Sequence, residues 1–142
     1  MADPVAIARD WLGTPYRHQA SCKGAGADCL GLIRGIWREL YGAEPETPPA
    51  YSPDWGEARR EEILMAAALR HLEPVERAQL GDVLLFRMRE AGPAKHLALL
   101  SELGETPRMI HAYSGHAVCE TSLTPPWVRR IAGRFRFPGR SL

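Results

Sequence analysis

The chain has 142 residues, of which 45% are hydrophobic and 25% charged, and its formal net charge is +1. That length can bury the core of one ordinary domain, so a single unit over residues 1–142 is expected, and a near-neutral charge gives no electrostatic drive toward nucleic acid, an anionic membrane or an acidic substrate. No run approaches the roughly 18 apolar residues of a spanning helix, and "MADPVAIARDWLG" places Asp3 and Asp10 where a secretory leader needs a basic and then an apolar stretch, which predicts synthesis in the cytoplasm without a signal peptide and no membrane partner.

Asp3 followed by Pro4 is a helix-start signal, and Val5, Ile7, Ala8, Trp11 and Leu12 supply an apolar stripe for a short first helix ending near Leu12. Residues 13–27, "GTPYRHQASCKGAGA", lack sustained periodicity and read as a loop. Asp28 then caps a strongly amphipathic helix in which Cys29, Ile33, Ile36 and Leu40 share one face and Gly42 is the stop signal. A linker with Pro45, Pro48, Pro49 and Pro53 leads to a further helix, about Glu57 to His71, whose stripe is Ile63, Leu64, Ala67 and Ala68.

From Gly81 the texture changes to short β-type runs, "DVLLFRM", "HLALLSEL", "RMIHAYS" and "HAVCET", separated by turn residues. They predict a meander of about four antiparallel strands. After Pro125 and Pro126, "WVRRIAGRFRFPG" reads as a short helix and a fifth strand, "GRFRF", with arginines outward and phenylalanines inward. Helices first and strands second make an α+β domain, with the N-terminal helices packed on a central antiparallel sheet of about five strands.

A thiol in the first turn of a helix feels unpaired N–H groups and the positive end of the dipole, which favour thiolate. Cys29 is therefore a candidate nucleophile, although on position alone a buried cysteine packed beneath the helix is the commoner case. A nucleophile needs a base. His96 opens one strand and His111 lies late in the next, with "ELGETP" as the turn between them. An odd sum of partner numbers across that antiparallel pair puts the two histidines on one face, adjacent or diagonal, whereas an even sum separates them. On one face they form the nucleophile, base and orienter pattern of papain-type peptidases, with Cys29 paired to His96 and His111 holding its tautomer. Ala98, on the face of His96, would leave space for substrate or for the helix. The bland alternative is a pair of hydrogen-bonded strand histidines.

Other chemistry-bearing residues fit less. The three cysteines, Cys22, Cys29 and Cys119, are odd in number and far apart, which suits reduced thiols. Cys22 and Cys29 are spaced more widely than structural zinc pairs, so no metal and no cofactor is expected. Cys119 alternates with Ala117 and Thr121 and reads as core packing. His71 ends a helix, as a dipole partner does, and His18 reads as a loop bystander or a substrate contact. Arg129, Arg130, Arg134, Arg136 and Arg140 form either a solvated face or a docking surface for neighbouring subunits.

"GTPYR", "GADCLGLIRGIW", "LGDVLLF", "HLALL" and "MIHA", in that order, resemble the NlpC family of papain-like cell-wall cysteine peptidases, from about Trp11 to Tyr113. The later "WVRR" and "FRFP" look like its compact phage-tail and gene-transfer-agent branch. The resemblance implies Cys29 as nucleophile, His96 as base and His111 as orienting residue. It also implies Tyr16 beside the nucleophile, as a substrate or oxyanion contact, and Asp28 as the residue that lines the groove or fixes the helix start. The implied substrate is a peptidoglycan stem peptide, cut between D-glutamate and diaminopimelate, and the implied partners are tail or hub proteins that deliver the enzyme to the periplasm and wall. Leu30 stands where the family usually has serine. A tail or hub component with the same fold and little or no turnover is the alternative.

Overall fold

The computed structural model describes residues 2–51 and 62–139. Helix α1 spans Pro4–Arg9, started by the Asp3 carboxylate, which accepts from the Val5 N–H at 2.9 Å. Its stripe ends at buried Trp11, and Leu12 is exposed. The stretch read as a loop contains a small hairpin, β1 (Ser21–Cys22) against β2 (Gly26–Ala27). Two-residue strands are too short for a period to show.

Helix α2, Cys29–Tyr41, forms as expected: Asp28 accepts the Gly31 N–H at 2.7 Å, and Gly42 ends it with a φ of 91°. Cys29, Leu32, Ile33 and Ile36 are buried, and Leu40 is half-buried. Helix α3 is Ile63–His71; the expected start near Glu57 lies outside the described residues. Leu64 and Ala68 face inward while Ile63, in the first turn, is exposed, so the stripe is narrower than its composition suggests.

The large sheet has six strands rather than five. They are β3 (Glu73–Pro74), β4 (Val83–Arg87), β5 (Ala94–Glu102), β6 (Arg108–Tyr113), β7 (His116–Ser122) and β8 (Ile131–Arg136), in the order β3-β8-β4-β5-β6-β7, all antiparallel. The meander β4 to β7 and the late strand beside β4 follow the expectation. The sixth strand is a two-residue segment containing a proline, paired to Phe135 and Arg136, which no strand pattern marks.

Both sheet faces are covered. Val83, Leu85, Leu97, Leu99 and Ile110 join the core built with α1, α2 and α3, while Leu84, Phe86, Ala98, Leu100 and Met109 form a second cluster under Trp127 of the short helix α4, Pro125–Arg129. Two covered faces explain why these strands read as continuous apolar runs. Ala98 is thus filled against Phe86 and Met109, on the side away from α2, and is not open space for the helix or substrate.

Strand β8 modifies the expectation that its arginines point out. Phe135 is buried, but Arg136 folds onto fully buried Asp82 as a two-bond fork of 3.0 and 2.8 Å. Arg136→Ala is expected to leave that carboxylate without its cation and to cost about 2 kcal/mol, measurable as a lower urea midpoint at unchanged slope.

Candidate active site

Asp28 does more than start α2. Its carboxylate is 3% exposed and accepts the Gly31 N–H, the Gln19 N–H at 2.7 Å and the Tyr51 hydroxyl at 2.5 Å. Gln19 occupies the left-handed region, with a φ of 66°, and its amide also reaches the Tyr51 carbonyl. His18 joins the same cluster, with Nε2 2.7 Å from the Tyr51 carbonyl. Asp28 is therefore an internal keystone fixing the helix start, its oxygens occupied by the protein's own donors. Tyr16 pairs with Ala27 through a parallel bridge and packs against the core cluster that contains Cys29, and its phenol is pushed up by burial first and then by Asp28 and Cys29.

Cys29 opens α2 on the helix side of the sheet, with Sγ 3.9 Å from the Lys95 carbonyl oxygen. Strand β5 carries an irregularity there: Ala94 opposes Arg87 and His96 opposes Phe86, so Lys95 is an extra residue. The bulge takes the chain from Ala94, in the helix-side core, to His96, whose ring packs on Phe86 and Trp127 at 5.8 and 5.5 Å. The thiol rests against that crossing, one residue from His96.

The pairing of Leu99 with Ile110 is one of the registers that places the two histidines diagonally on one face. His96 Nε2 lies 2.8 Å from His111 Nδ1, and both rings are buried. The line continues: His111 Nε2 lies 2.9 Å from Thr121 Oγ1. Trp127 covers both imidazoles at 5.5 Å, and Tyr113 touches both histidines and Trp127 as well. With Nε2 of His96 engaged, its free ring nitrogen is Nδ1.

Burial sets the protonation of this group. It pushes the Cys29 thiol up to about 12, with the Asp28 carboxylate adding to the shift, so the expected thiolate does not form at the helix start. Desolvation of the charged form outweighs the dipole. His96 is lowered to about 3 by burial and then by His111 and Lys95; His111 is lowered to about 4 by burial and then by His116. The resting site is a neutral thiol on one side of the Lys95 bulge and neutral imidazoles on the other. Because a raised thiol gains thiolate only as pH climbs toward about 12, alkylation of Cys29 by iodoacetamide is expected to keep accelerating, about tenfold per unit, from pH 7 to 10. A rate that levels off near pH 8 would contradict this burial.

Known proteins share this fold. A family-level match to the NlpC/P60 family spans residues 13–136. The chain belongs to the NlpC/P60 family. Among solved structures, the NlpC/p60 domain of the peptidoglycan hydrolase SagA superimposes with a TM-score of 0.62 at 20% identity, over 95% of this chain and 97% of that one. An NlpC/P60 family protein from Bacillus cereus ATCC 10987 gives 0.64 at 25% identity over 95% of this chain, and a lipoprotein-like NLP/P60 protein from Staphylococcus aureus subsp. aureus Mu50 gives 0.61 at 20% identity over 96%. The chain spans only 39% and 41% of those two longer proteins. No curated protein matches it by sequence.

This NlpC/P60 domain thus brings Tyr16, Asp28 and Cys29 together on one side of the Lys95 bulge, and His96 and His111 on the other. Sequence reasoning missed Tyr51, Thr121 and Trp127. Tyr51 sits in a proline-rich segment with no chemical signature, and Thr121 and Trp127 are recognisable only once the register of β7 and the position of α4 are known. Leu30 is half-buried against the helix-side core. Cys22 is exposed and Cys119, the direct cross-strand partner of His111, is half-buried; all three cysteines are free thiols. His71 pairs with Glu46 at 2.8 Å. Of the arginine cluster, Arg129 and Arg130 are exposed, Arg134 is half-buried, Arg136 is tied to Asp82, and Arg140 lies outside the described residues. Among the described residues no group of three or more His, Cys, Asp and Glu side chains is placed to hold a metal ion.

Proposed function

We propose that this NlpC/P60 domain is a cysteine endopeptidase that hydrolyses peptidoglycan stem peptides through Cys29, His96 and His111. Family membership and the fold shared with a peptidoglycan hydrolase domain support a cell-wall hydrolase. The observation that carries the finer reading is the thiol at a helix N-terminus, resting on the Lys95 carbonyl one residue before His96, whose ring is paired with that of His111 across the bulge.

In this mechanism the Cys29 thiol gives its proton to Nδ1 of His96 as sulfur attacks the scissile carbonyl. The oxyanion is met by the Cys29 backbone N–H at the start of α2, with the Tyr16 phenol beside it. The His96 imidazolium, held through Nε2 by His111, then protonates the leaving amine. Water deacylates the thioester with His96 again as base, and the second product is a carboxylate. The proposed bond is D-glutamyl-diaminopimelate. Delivery to the periplasmic wall with a phage-like tail or gene-transfer-agent particle completes the proposal and rests on "WVRR" and "FRFP" alone.

Wild-type protein incubated with purified stem peptides in oxygen-18 water is expected to yield two fragments, one carrying a single heavy oxygen by mass spectrometry. Fragments without it mean transfer rather than hydrolysis. No fragments from any stem peptide would sink the reading. The second reading, a tail or hub component with a silent site, is favoured by one observation, the burial of the Cys29 thiol in the helix-side core.

A further inference from the structure

We propose that Thr121 is a positioning residue: its hydroxyl accepts the Nε2–H of His111, which leaves His111 Nδ1 to accept from His96 Nε2–H and keeps the other nitrogen of His96 basic. This rests on the reading of His96 as the base.

The argument is one of proton counting along a line of three groups. His96 Nε2, His111 Nδ1, His111 Nε2 and Thr121 Oγ1 are joined by contacts of 2.8 and 2.9 Å. Each neutral imidazole carries one N–H and one lone pair, so with neutral rings the line has only two consistent arrangements. Either both N–H groups point toward Thr121, or the hydroxyl donates to His111 and both protons shift the other way. The second arrangement puts the proton of His96 on Nδ1, where it can no longer take one from a thiol.

The charged intermediate selects between them. Once His96 is an imidazolium, both of its nitrogens donate, and its Nε2–H needs a lone pair on His111 Nδ1. His111 must then carry its own proton on Nε2, directed at an acceptor. Thr121 Oγ1 is the oxygen at that position, and a hydroxyl can accept there without adding charge. The reverse arrangement would set two N–H groups against each other across 2.8 Å.

The placement depends on the sheet. His111 directly opposes Cys119 on β7, and Thr121 is the diagonal neighbour two residues along on the same face. A cysteine thiol is a weak hydrogen-bonding group, so the diagonal threonine takes the role. Thr121 is half-buried on an edge strand, where water can partly replace a lost hydroxyl, so the effect is graded.

The test uses Thr121→Val, which keeps the branched shape and removes the acceptor, and Thr121→Ser, which restores it. With stem peptides as substrate, Thr121→Val is expected to lose about tenfold to a hundredfold in kcat at unchanged KM, and Thr121→Ser to recover most of it. In parallel, nitrogen-15 NMR on Cys29→Ala protein reads the tautomers without turnover. His111 is expected as the Nε2–H form, with Thr121→Val shifting it toward Nδ1–H and Thr121→Ser restoring it. An Nδ1–H form of His111 in protein with Thr121 intact, or an unchanged kcat in Thr121→Val, overturns the proposal. If wild type shows no turnover, the enzyme reading fails and the tautomer measurement alone decides.

Discussion

Cys29→Ala is expected to lower turnover on stem peptides by about 10⁴-fold or more, because no route through a thioester remains. The fold should survive: the change removes one sulfur from a site that is 8% exposed and leaves the Asp28 cap and its donors in place. His96→Gln is expected to be nearly as damaging, for a reason the electrostatics supply. With the thiol pushed up to about 12, roughly one molecule in ten thousand is thiolate at pH 8, so the nucleophile depends on a base at the moment of attack. His111→Gln should cost less, about tenfold to a hundredfold, since it removes orientation and tautomer choice but not the proton acceptor. Because nucleophile and base act as a unit, the double variant Cys29→Ala with His96→Gln is expected to be no worse than Cys29→Ala alone. Single-turnover rates on one defined stem peptide, with melting curves for every variant, check the whole ordering. Wild-type turnover in Cys29→Ala would remove the assignment, and an equal loss for His96 and His111 would show that either ring can act as base.

The parts of this site that were legible beforehand are those encoded locally. Asp28 followed by Cys29 and an i, i+4, i+7 stripe specifies a capped helix within a few residues, and α2 forms as read. For the two histidines parity leaves two classes of register, one of which puts both rings on one face, and only the structure shows that this class is the one adopted. What failed depends on distant chain. The dipole argument for a thiolate was sound as far as it went, but burial beneath the sheet and the Asp28 carboxylate reverse its sign, and both are tertiary facts. Asp28 looked like a groove residue or a cap, and only the arrival of Tyr51 and Gln19 shows its oxygens already engaged. Thr121 carries no signal beyond its alternation with Cys119 along a strand, and its contact with His111 depends on the register of β7. The sixth strand went unseen because two residues, one of them proline, carry no pattern.

Gly31→Ala is expected to destabilise the domain by about 3 kcal/mol and to take the activity with it. On helix propensity alone the sign is the opposite, since alanine in place of glycine inside a helix gains roughly 1 kcal/mol. Packing decides against it. A Cβ at Gly31 would lie 1.8 Å from the Ala20 carbonyl oxygen and 2.9 Å from its carbon, both backbone atoms that cannot rotate away, and 3.1 Å from Asp28 Oδ1. That segment is clamped to the first turn of α2 by two further bonds, Asp28 N–H to the Ala20 carbonyl at 3.3 Å and Ser21 hydroxyl to the Gly31 carbonyl at 2.6 Å. Relief of the clash must therefore move the loop away from the helix start, and the carboxylate that fixes Gln19, Tyr51 and the cap moves with it. Cys29 lies next in sequence to that carboxylate, so a shift in the cap carries the sulfur off the Lys95 carbonyl. Gly42→Ala gives the contrast: its φ of +91° strains an alanine, but nothing lies within 4 Å of the added carbon, so about 1 kcal/mol and no loss of activity are expected. Urea titrations of the two variants beside wild type separate the cases, and a Gly31→Ala protein as stable as wild type would mean that the loop is not seated on α2 as described.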